Sequence, residues 1–292
     1  MSAPAAFGPL ISGDWLLRHA PEVCIVDVRW YLDGRSGAEE FAAGHIPGAV
    51  WLDVDSELSG PATAADGRHP LPTPEVFASA LGRAGIATGR PVVAYDDAGG
   101  SIAARLWWLL HVLGERVAVL DGGLAAWPGE LTSEVGEPSA VRREPRDWPP
   151  DRFADADAVA AHDGPLIDAR AVSRYTTGDL AIDPRPGHIP GAINLPWAGN
   201  LDEMTGRFLP PQVLRQRFAA LNVTDNAGTV RDARVVAYCG SGITACHNLL
   251  ALELAGTSGT ALYPGSWSQW GADLFRPTET GAPAAEPAPS RG

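Results

Sequence analysis

The hexapeptide GHIPGA occupies residues 44–49 and again residues 187–192, an offset of 143 positions. The tetrapeptide VVAY at residues 92–95 returns at residues 235–238 with the same offset. Matches that share one spacing are not expected by chance, and self-similarity at a fixed period is the mark of a duplicated unit. The chain therefore consists of two copies of one domain.

Short β-branched runs alternate with longer apolar stretches in both copies. The predicted strands are residues 24–28, 92–95, 117–120, 166–169 and 235–238, and the predicted helices include residues 102–113 and 244–254. Alternation of this kind is typical of an α/β fold in which helices flank a parallel β-sheet. We expect one such sheet in each copy.

The composition predicts where the two domains begin and end. The expected divisions are residues 8–130 for the first domain, 131–152 for a linker, 153–276 for the second domain and 277–292 for a disordered tail. The linker is rich in Pro, Glu and Arg without hydrophobic periodicity. The tail is mostly Pro, Ala, Thr and Glu, and such a segment buries too little apolar surface to offset its ordering entropy.

The net charge of −13 bears on the class of partner. An acidic surface repels phosphate backbones and anionic headgroups, so neither nucleic acid nor a membrane is an expected partner. No apolar run approaches the roughly 20 residues that cross a bilayer, and the first residues lack the pattern of a signal peptide. We therefore expect a cytoplasmic protein.

Three cysteines occur, Cys24, Cys239 and Cys246. An odd number in a chain of this length argues against a disulfide framework, so reduced thiols are expected. Cys24 lies in a predicted apolar strand and Cys246 on a predicted helix, where packing explains them. The neighbouring His247 invites a metal-site interpretation of Cys246, but no second close pair of ligands exists, and zinc is not expected.

Cys239 stands where a predicted strand meets a loop of small residues, Gly240-Ser241-Gly242, that leads into a helix. The two glycines allow successive N–H groups to converge beside the sulfur, together with the positive end of the helix. Fixed dipoles of this kind stabilise a thiolate or persulfide anion. The alternative is a small buried thiol at a strand end, but the first copy has Asp96 at the aligned position, so only the second copy carries a nucleophile.

These motifs, with the segment YPGSWSQW at residues 263–270, resemble the tandem rhodanese family and specifically its 3-mercaptopyruvate sulfurtransferase branch. The resemblance covers residues 10–270, and Gln269 stands where the family pattern usually has Glu. It implies two tandem rhodanese-like domains, with the first inactive and the second carrying the catalytic Cys239. It also implies transfer of sulfur through a Cys239 persulfide, with no metal or organic cofactor.

The resemblance also implies which residues bind the sulfur donor. Thiosulfate-preferring relatives tend to have Arg and Lys directly after the cysteine, whereas this chain has Gly240 and Ser241. The donor expected is therefore 3-mercaptopyruvate, with a thiosulfate-preferring rhodanese as the alternative. The substrate-binding residues implied are Arg174, Arg185, Gly240, Gly242, Ile243 and Thr244. A guanidinium suits a bidentate grip on a carboxylate, and Arg174 is the stronger candidate.

A proton relay is a further implication of the resemblance. Asp53 and His69 stand where the family has an Asp and a His that reach the site, and with Ser241 they are expected to protonate the leaving enolate. His45 and His188 recur in both copies, including the copy without a nucleophile. They are therefore expected to be structural turn residues, because chemistry belongs to one site.

Two rival functions follow from the same loop. A phosphatase of related fold needs an Arg at the end of its active loop, but the sixth residue after Cys239 is Ala245, which cannot neutralise a phosphate dianion. A relay or binding module that hands the persulfide to one partner protein stays open. So does the acceptor, which includes cyanide, small thiols and thioredoxin.

Overall fold

The computed structural model describes residues 7–221 and 234–281. They form two compact units. The first unit takes in the described residues up to Pro61, Leu71–Pro149 and Leu201–Phe208, and the second takes in Ala62–Pro70, Pro150–Asn200 and the described residues from Leu209 onward. Neither unit is one continuous stretch of chain, and the short segment Ala62–Pro70 belongs to the unit that contains Cys239.

Five parallel strands form the sheet of the first unit. They are β1 (Leu10–Ile11), β2 (Cys24–Asp27), β3 (Val50–Trp51), β4 (Val92–Tyr95) and β5 (Val117–Leu120), in the order β1-β5-β4-β2-β3. The helices are α1 (Gly13–His19), α2 (Gly37–Ala43), α3 (Pro74–Arg83) and α4 (Ala103–Val112). Side chains of Ser12, Ser36 and Thr73 accept hydrogen bonds from the first turns of α1, α2 and α3, as N-caps do.

Four parallel strands form the sheet of the second unit. They are β6 (Leu166–Asp168), β7 (Ile193–Asn194), β8 (Val236–Tyr238) and β9 (Ala261–Leu262), in the order β7-β6-β8-β9. The helices are α5 (Ala156–Ala160), α6 (Val172–Thr176), α7 (Pro211–Phe218), α8 (Ala245–Leu254) and α9 (Ser266–Trp270). The predicted α/β class with a parallel sheet in each half is confirmed. No helix of the described residues is long and apolar enough to cross a membrane.

A buried ion pair follows the first long strand of each unit and ties it to the GHIPGA turn. Arg29 contacts Asp27 at 2.7 Å and donates to the carbonyl of Gly44 at 2.8 Å. Arg170 repeats this with Asp168 at 2.6 Å and with the carbonyl of Gly187 at 2.9 Å. The repeated turn thus closes on the end of the neighbouring strand in both units.

The tyrosine of each VVAY strand and the histidine of each turn complete this corner. The hydroxyl of Tyr95 accepts from the Ile46 N–H at 3.2 Å, and that of Tyr238 accepts from the Ile189 N–H at 3.1 Å. Nδ1 of the buried His45 lies 2.7 Å from the Phe41 carbonyl. These equivalent contacts explain why the hexapeptide and the tetrapeptide recur together.

Residues 131–149, most of the stretch expected to be a linker, contain no helix or strand but pack on the first unit. Arg143 and Glu115 form a buried ion pair, and the Trp148 indole donates to the carbonyl of Pro72 at 2.9 Å. At the far end, the indole of Trp270 donates to the Pro277 carbonyl at 2.8 Å. Residues 282–292 of the tail expected to be disordered lie outside the described residues.

The Asp27–Arg29 pair provides a test of this corner. Arg29→Met leaves the carboxylate of Asp27, which is 0% exposed, without its cation. Because breaking a buried pair from one side strands a charge, we expect the free energy of unfolding to fall by about 3 kcal/mol, measured by urea denaturation. Arg35→Met is the control, since Arg35 and its partner Asp33 are 54% and 61% exposed, and it should leave the midpoint nearly unchanged. Equal effects of the two substitutions would contradict this role of Arg29.

Candidate active site

The main chain of Cys239 is fixed from both sides by the segment that follows β9. The Cys239 N–H donates to Oγ of Ser266 at 3.1 Å, and the Cys239 carbonyl accepts from the N–H of Trp267 at 3.0 Å. Ser266 has a φ of +51°, and no other non-glycine residue of the described part has a positive φ. Such a conformation costs energy and persists only where the surroundings enforce it. The turn at Ser266 therefore holds the cysteine in place.

The loop after Cys239 curls so that the N–H of Gly242 faces the sulfur. The Gly242 N–H lies 3.1 Å from Cys239 Sγ. Gly242 has a φ of +83°, and a Cβ atom there would lie 2.5 Å from the Pro264 carbonyl oxygen. Only glycine fits this position, so the direction of the N–H depends on it.

The first unit has the same cradle, filled by a carboxylate. Asp96 follows β4 as Cys239 follows β8, and its carboxylate accepts four main-chain N–H groups at 2.8 Å each, from Ala98, Gly100, Ile102 and Ala103. Burial raises the pKa of Asp96, and the four hydrogen bonds oppose that shift. The strand–loop–helix turn of the first unit therefore surrounds an acidic group with N–H donors, and in the second unit the sulfur of Cys239 follows the equivalent strand and receives the N–H of Gly242.

Two guanidinium groups lie over the loop at Gly240. A Cβ atom at this position would be 2.7 Å from Nη2 of Arg174 and 2.9 Å from Nη2 of Arg68. The loop itself carries no charge, as its sequence Gly240-Ser241-Gly242 predicts, but the space beside it is strongly cationic. The missing side chain at Gly240 is what allows both cations to approach.

The carboxylate of Asp183 engages Arg174. Arg174 Nε donates to Asp183 Oδ2 at 2.9 Å and Nη2 donates to Oδ1, so that one edge of the guanidinium is paired with both oxygens. Arg170 lies 3.6 Å from the same carboxylate and 4.7 Å from the centre of a Trp267 ring. Arg174 thus lies beside the loop, where the sequence places it, with Nη1 as its remaining nitrogen.

Arg68 is a site residue that the sequence did not reveal. Its N–H donates to Ser268 Oγ at 3.0 Å, and its Nη1 donates to the Ile182 carbonyl. Burial and the neighbouring Arg174 lower the pKa of Arg68, whereas the nearby Cys239 raises it. No local pattern marks Arg68, because it comes from the short segment Ala62–Pro70, far from Cys239 in sequence.

A cavity of about 380 Å³ lies beside these groups in the second unit. Its lining includes Thr63, Gly67, Arg68, Ile182, Asp183 and Ser268. Cys239 itself is 2% exposed. Arg68 and Asp183 therefore connect the wall of the cavity to the cationic space over the loop.

The other predicted residues take different places. Ser241 and Ile243 are buried in the loop, and Thr244 precedes α8 without capping it through its side chain. Nη2 of Arg185 binds the carbonyls of Asp273 at 2.9 Å and Arg276 at 2.8 Å. Arg185 thus braces the segment after α9, and its role in donor binding stays a prediction.

The residues of the expected relay belong to different units. His69 is buried in the second unit, next to Arg68. Asp53 belongs to the first unit, where its carboxylate accepts from Ser56 Oγ at 2.5 Å and from the Asp55 N–H at 3.3 Å.

The other buried polar groups near the loop offer no metal site. Cys246 donates to the Gly242 carbonyl at 3.5 Å, and His247 Nδ1 lies 3.1 Å from Asn200 Nδ2. Within residues 7–221 and 234–281, no group of three or more His, Cys, Asp or Glu side chains could hold a metal ion.

Comparison with known proteins agrees with this arrangement. The family model for the rhodanese-like domain matches twice, at residues 12–130 and 151–273. The chain belongs to the rhodanese family. The resemblance inferred from the GHIPGA pair and the cysteine loop is thereby confirmed.

The similar proteins are sulfurtransferases. A Pseudomonas aeruginosa protein described as a probable 3-mercaptopyruvate sulfurtransferase is 45% identical over 89% of this chain and 93% of its own length. The Escherichia coli 3-mercaptopyruvate sulfurtransferase has a solved structure that is 32% identical, with a TM-score of 0.75 over 89% of this chain and 98% of that chain. A Mycobacterium tuberculosis relative with a provisional thiosulfate sulfurtransferase name is 36% identical over 91% of this chain and 94% of its own.

The glycine at position 242 of this rhodanese provides a test of the cradle. We expect Gly242→Ala to abolish reaction at Cys239 and to lower the free energy of unfolding by about 2 kcal/mol or more, since a left-handed residue with a Cβ costs about 1–2 kcal/mol before any clash. Gly259→Ala is the control, because Gly259 has a φ of +71° but no atom within 4 Å of the added Cβ. Its activity should persist. Alkylation of Cys239, followed by peptide mass mapping, measures the difference, and full reactivity in Gly242→Ala would contradict the assignment of this N–H.

Proposed function

We propose that this protein is a sulfurtransferase that takes sulfur from 3-mercaptopyruvate and passes it on through a Cys239 persulfide. The observation that carries the proposal is the Gly242 N–H at 3.1 Å from Cys239 Sγ, in a loop overlain by two guanidinium groups. Such surroundings stabilise an anionic sulfur and attract an anionic donor. The sulfurtransferase names of the relatives support it.

In the first step the Cys239 thiolate attacks the sulfur of 3-mercaptopyruvate. A sulfur–sulfur bond forms, the carbon–sulfur bond breaks, and its electron pair leaves on carbon as the enolate of pyruvate. The thiol proton of the donor moves to that carbon, which leaves pyruvate and a persulfide anion on Cys239. Loop N–H groups, that of Gly242 included, then stabilise the charge on sulfur.

In the second step an acceptor nucleophile attacks the outer sulfur. The sulfur–sulfur bond breaks and its electron pair returns to Cys239 as the thiolate. A thiol, thioredoxin included, leaves as a persulfide, and cyanide leaves as thiocyanate. Cys24, Cys239 and Cys246 form no disulfide, which suits the reducing cytoplasm where we propose that the protein works.

Individual residues have proposed roles in the first step. Arg174 contributes Nη1 to donor binding, because its Nε–Nη2 edge is taken by Asp183. Gly240, Gly242, Ile243 and Thr244 supply the loop main chain around the sulfur. Ser241 and His69 are the groups proposed to move the donor proton, with Asp53 as the third member of the relay.

The second candidate function is a thiosulfate-preferring rhodanese, which the name of the Mycobacterium tuberculosis relative favours. Thiosulfate is a dianion, whereas 3-mercaptopyruvate carries one carboxylate. The loop lacks cationic side chains at Gly240 and Ser241, so we propose 3-mercaptopyruvate as the preferred donor. A relay that serves one partner protein instead would show no steady turnover with small acceptors.

Steady-state kinetics with both donors and with cyanide as acceptor test the proposal. We expect wild-type protein to turn over with a higher kcat/KM for 3-mercaptopyruvate than for thiosulfate, and Cys239→Ser to lose transfer completely because its hydroxyl cannot form a persulfide. Cys24→Ser is the control, since Cys24 lies in β2 of the other unit, and it should keep wild-type rates. Turnover by Cys239→Ser near the wild-type rate would refute the proposal, and a preference for thiosulfate would favour the second candidate.

A further inference from the structure

Three arginines belong to this part of the second unit, Arg68 and Arg174 over the loop and Arg170 beside Asp183, and two of the three already have carboxylate partners. Arg170 lies 2.6 Å from Asp168, and Arg174 is paired with Asp183. Among the described residues, no carboxylate lies within 4.0 Å of the guanidinium of Arg68. Arg68 is therefore the site's uncompensated cation.

Arg174 and Arg68 also differ in whether the Nε–Nη2 edge of the guanidinium is occupied. In an arginine, Nε and Nη2 lie on one edge and together match two oxygens of a carboxylate. Asp183 occupies this edge of Arg174. In Arg68 the Ile182 carbonyl takes only Nη1, and Nε is buried with no acceptor among the described residues. A buried donor left unpaired is costly. Nε of Arg185 is also buried without an acceptor, but of the two arginines only Arg68 lines the cavity and lies over Gly240, where an acceptor from outside the chain can reach it.

We propose that Arg68 binds the carboxylate of the sulfur donor through its Nε–Nη2 edge. This rests on the proposed function and names the residue that selects a carboxylate donor at that site. Nη2 of Arg68 lies over Gly240, and Arg68 also lines the neighbouring cavity. A carboxylate bound there lies beside the loop that carries Cys239, and Arg174 adds a single further donor through Nη1.

Charge balance favours a donor with one negative charge. Arg68, Arg170 and Arg174 face the two carboxylates of Asp168 and Asp183, which leaves one positive charge beside the sulfur. The Cys239 thiolate takes up that single charge, so each negative charge of a donor is in excess, and a dianion brings two of them whereas a carboxylate brings one. In an environment of low dielectric, excess charge is expensive.

The segment that carries Arg68 is held by the turn that also holds Cys239. Ser268 Oγ accepts from the Arg68 N–H at 3.0 Å and donates to the Gly265 carbonyl at 2.9 Å. The amide nitrogen of Gln269 donates to the Ala65 carbonyl, and its amide oxygen accepts from Tyr263 at 2.8 Å. A glutamate at position 269, usual in the family, could not donate to Ala65 when ionised. Arg68 is thus positioned before any donor arrives, which lowers the entropic cost of binding.

Alkylation with a matched pair of reagents tests this role without requiring turnover. Iodoacetate carries a carboxylate, and iodoacetamide is its neutral counterpart. We expect the ratio of their rate constants at Cys239, measured by peptide mass mapping, to fall about 10-fold or more in Arg68→Met, as loss of a charge-assisted bond predicts. Arg68→Lys keeps the charge but loses the planar edge, so its ratio should lie between the ratios of the wild type and of Arg68→Met. Arg142→Met is the control, since the Arg142 side chain is 87% exposed, and it should keep the wild-type ratio.

The KM for 3-mercaptopyruvate should rise by a similar factor in Arg68→Met. An iodoacetate-to-iodoacetamide ratio that Arg68→Met leaves unchanged would overturn the proposal. Because each ratio is taken within one variant, differences in protein concentration cancel from it. If wild-type protein fails to take sulfur from 3-mercaptopyruvate while the ratio still depends on Arg68, the proposed function fails and the role of Arg68 in binding a carboxylate stands.

Discussion

The hydrogen bond from the Gly242 N–H to Cys239 Sγ is the interaction on which the site depends. It exists because a parallel strand ends at the cysteine, a glycine turns the chain with a positive φ, and a helix starts directly afterwards. Asp96 in the first unit shows what this turn is built to hold, because its carboxylate takes four N–H groups. With a cysteine in place of that aspartate, the same kind of turn can stabilise a reactive thiolate.

Much of the fold could be predicted from repeated sequence. The GHIPGA and VVAY repeats mark a corner in which Asp, Arg and Tyr side chains are buried together, and buried polar groups need fixed partners. Such constraints keep the sequence of a corner unchanged in both copies. The loop after Cys239 is equally predictable, because the residues that form it are consecutive in the chain: the cysteine, the glycines and the start of the helix.

The cationic part of the site could not be predicted in the same way. Arg68 stands 171 positions before Cys239 and reaches the loop because its segment belongs to the second unit, a tertiary fact that no periodicity records. The pairing of Arg174 with Asp183 is also invisible in sequence, although the two are nine positions apart, since it depends on how the chain folds back after α6. Arg185, by contrast, was named from its position in the sequence, but its guanidinium binds main-chain carbonyls.

The acidic chain thus places Arg68 and Arg174 over the loop where, in the proposed reaction, an anionic sulfur and an anionic donor meet. The most direct test of the central claim is the mass of the protein after incubation with 3-mercaptopyruvate and removal of the excess, followed by peptide mapping. The account predicts a gain of one sulfur atom on the peptide that contains Cys239, released on addition of cyanide. Release of pyruvate with no gain at Cys239, or a gain at Cys24 or Cys246 instead, would contradict it.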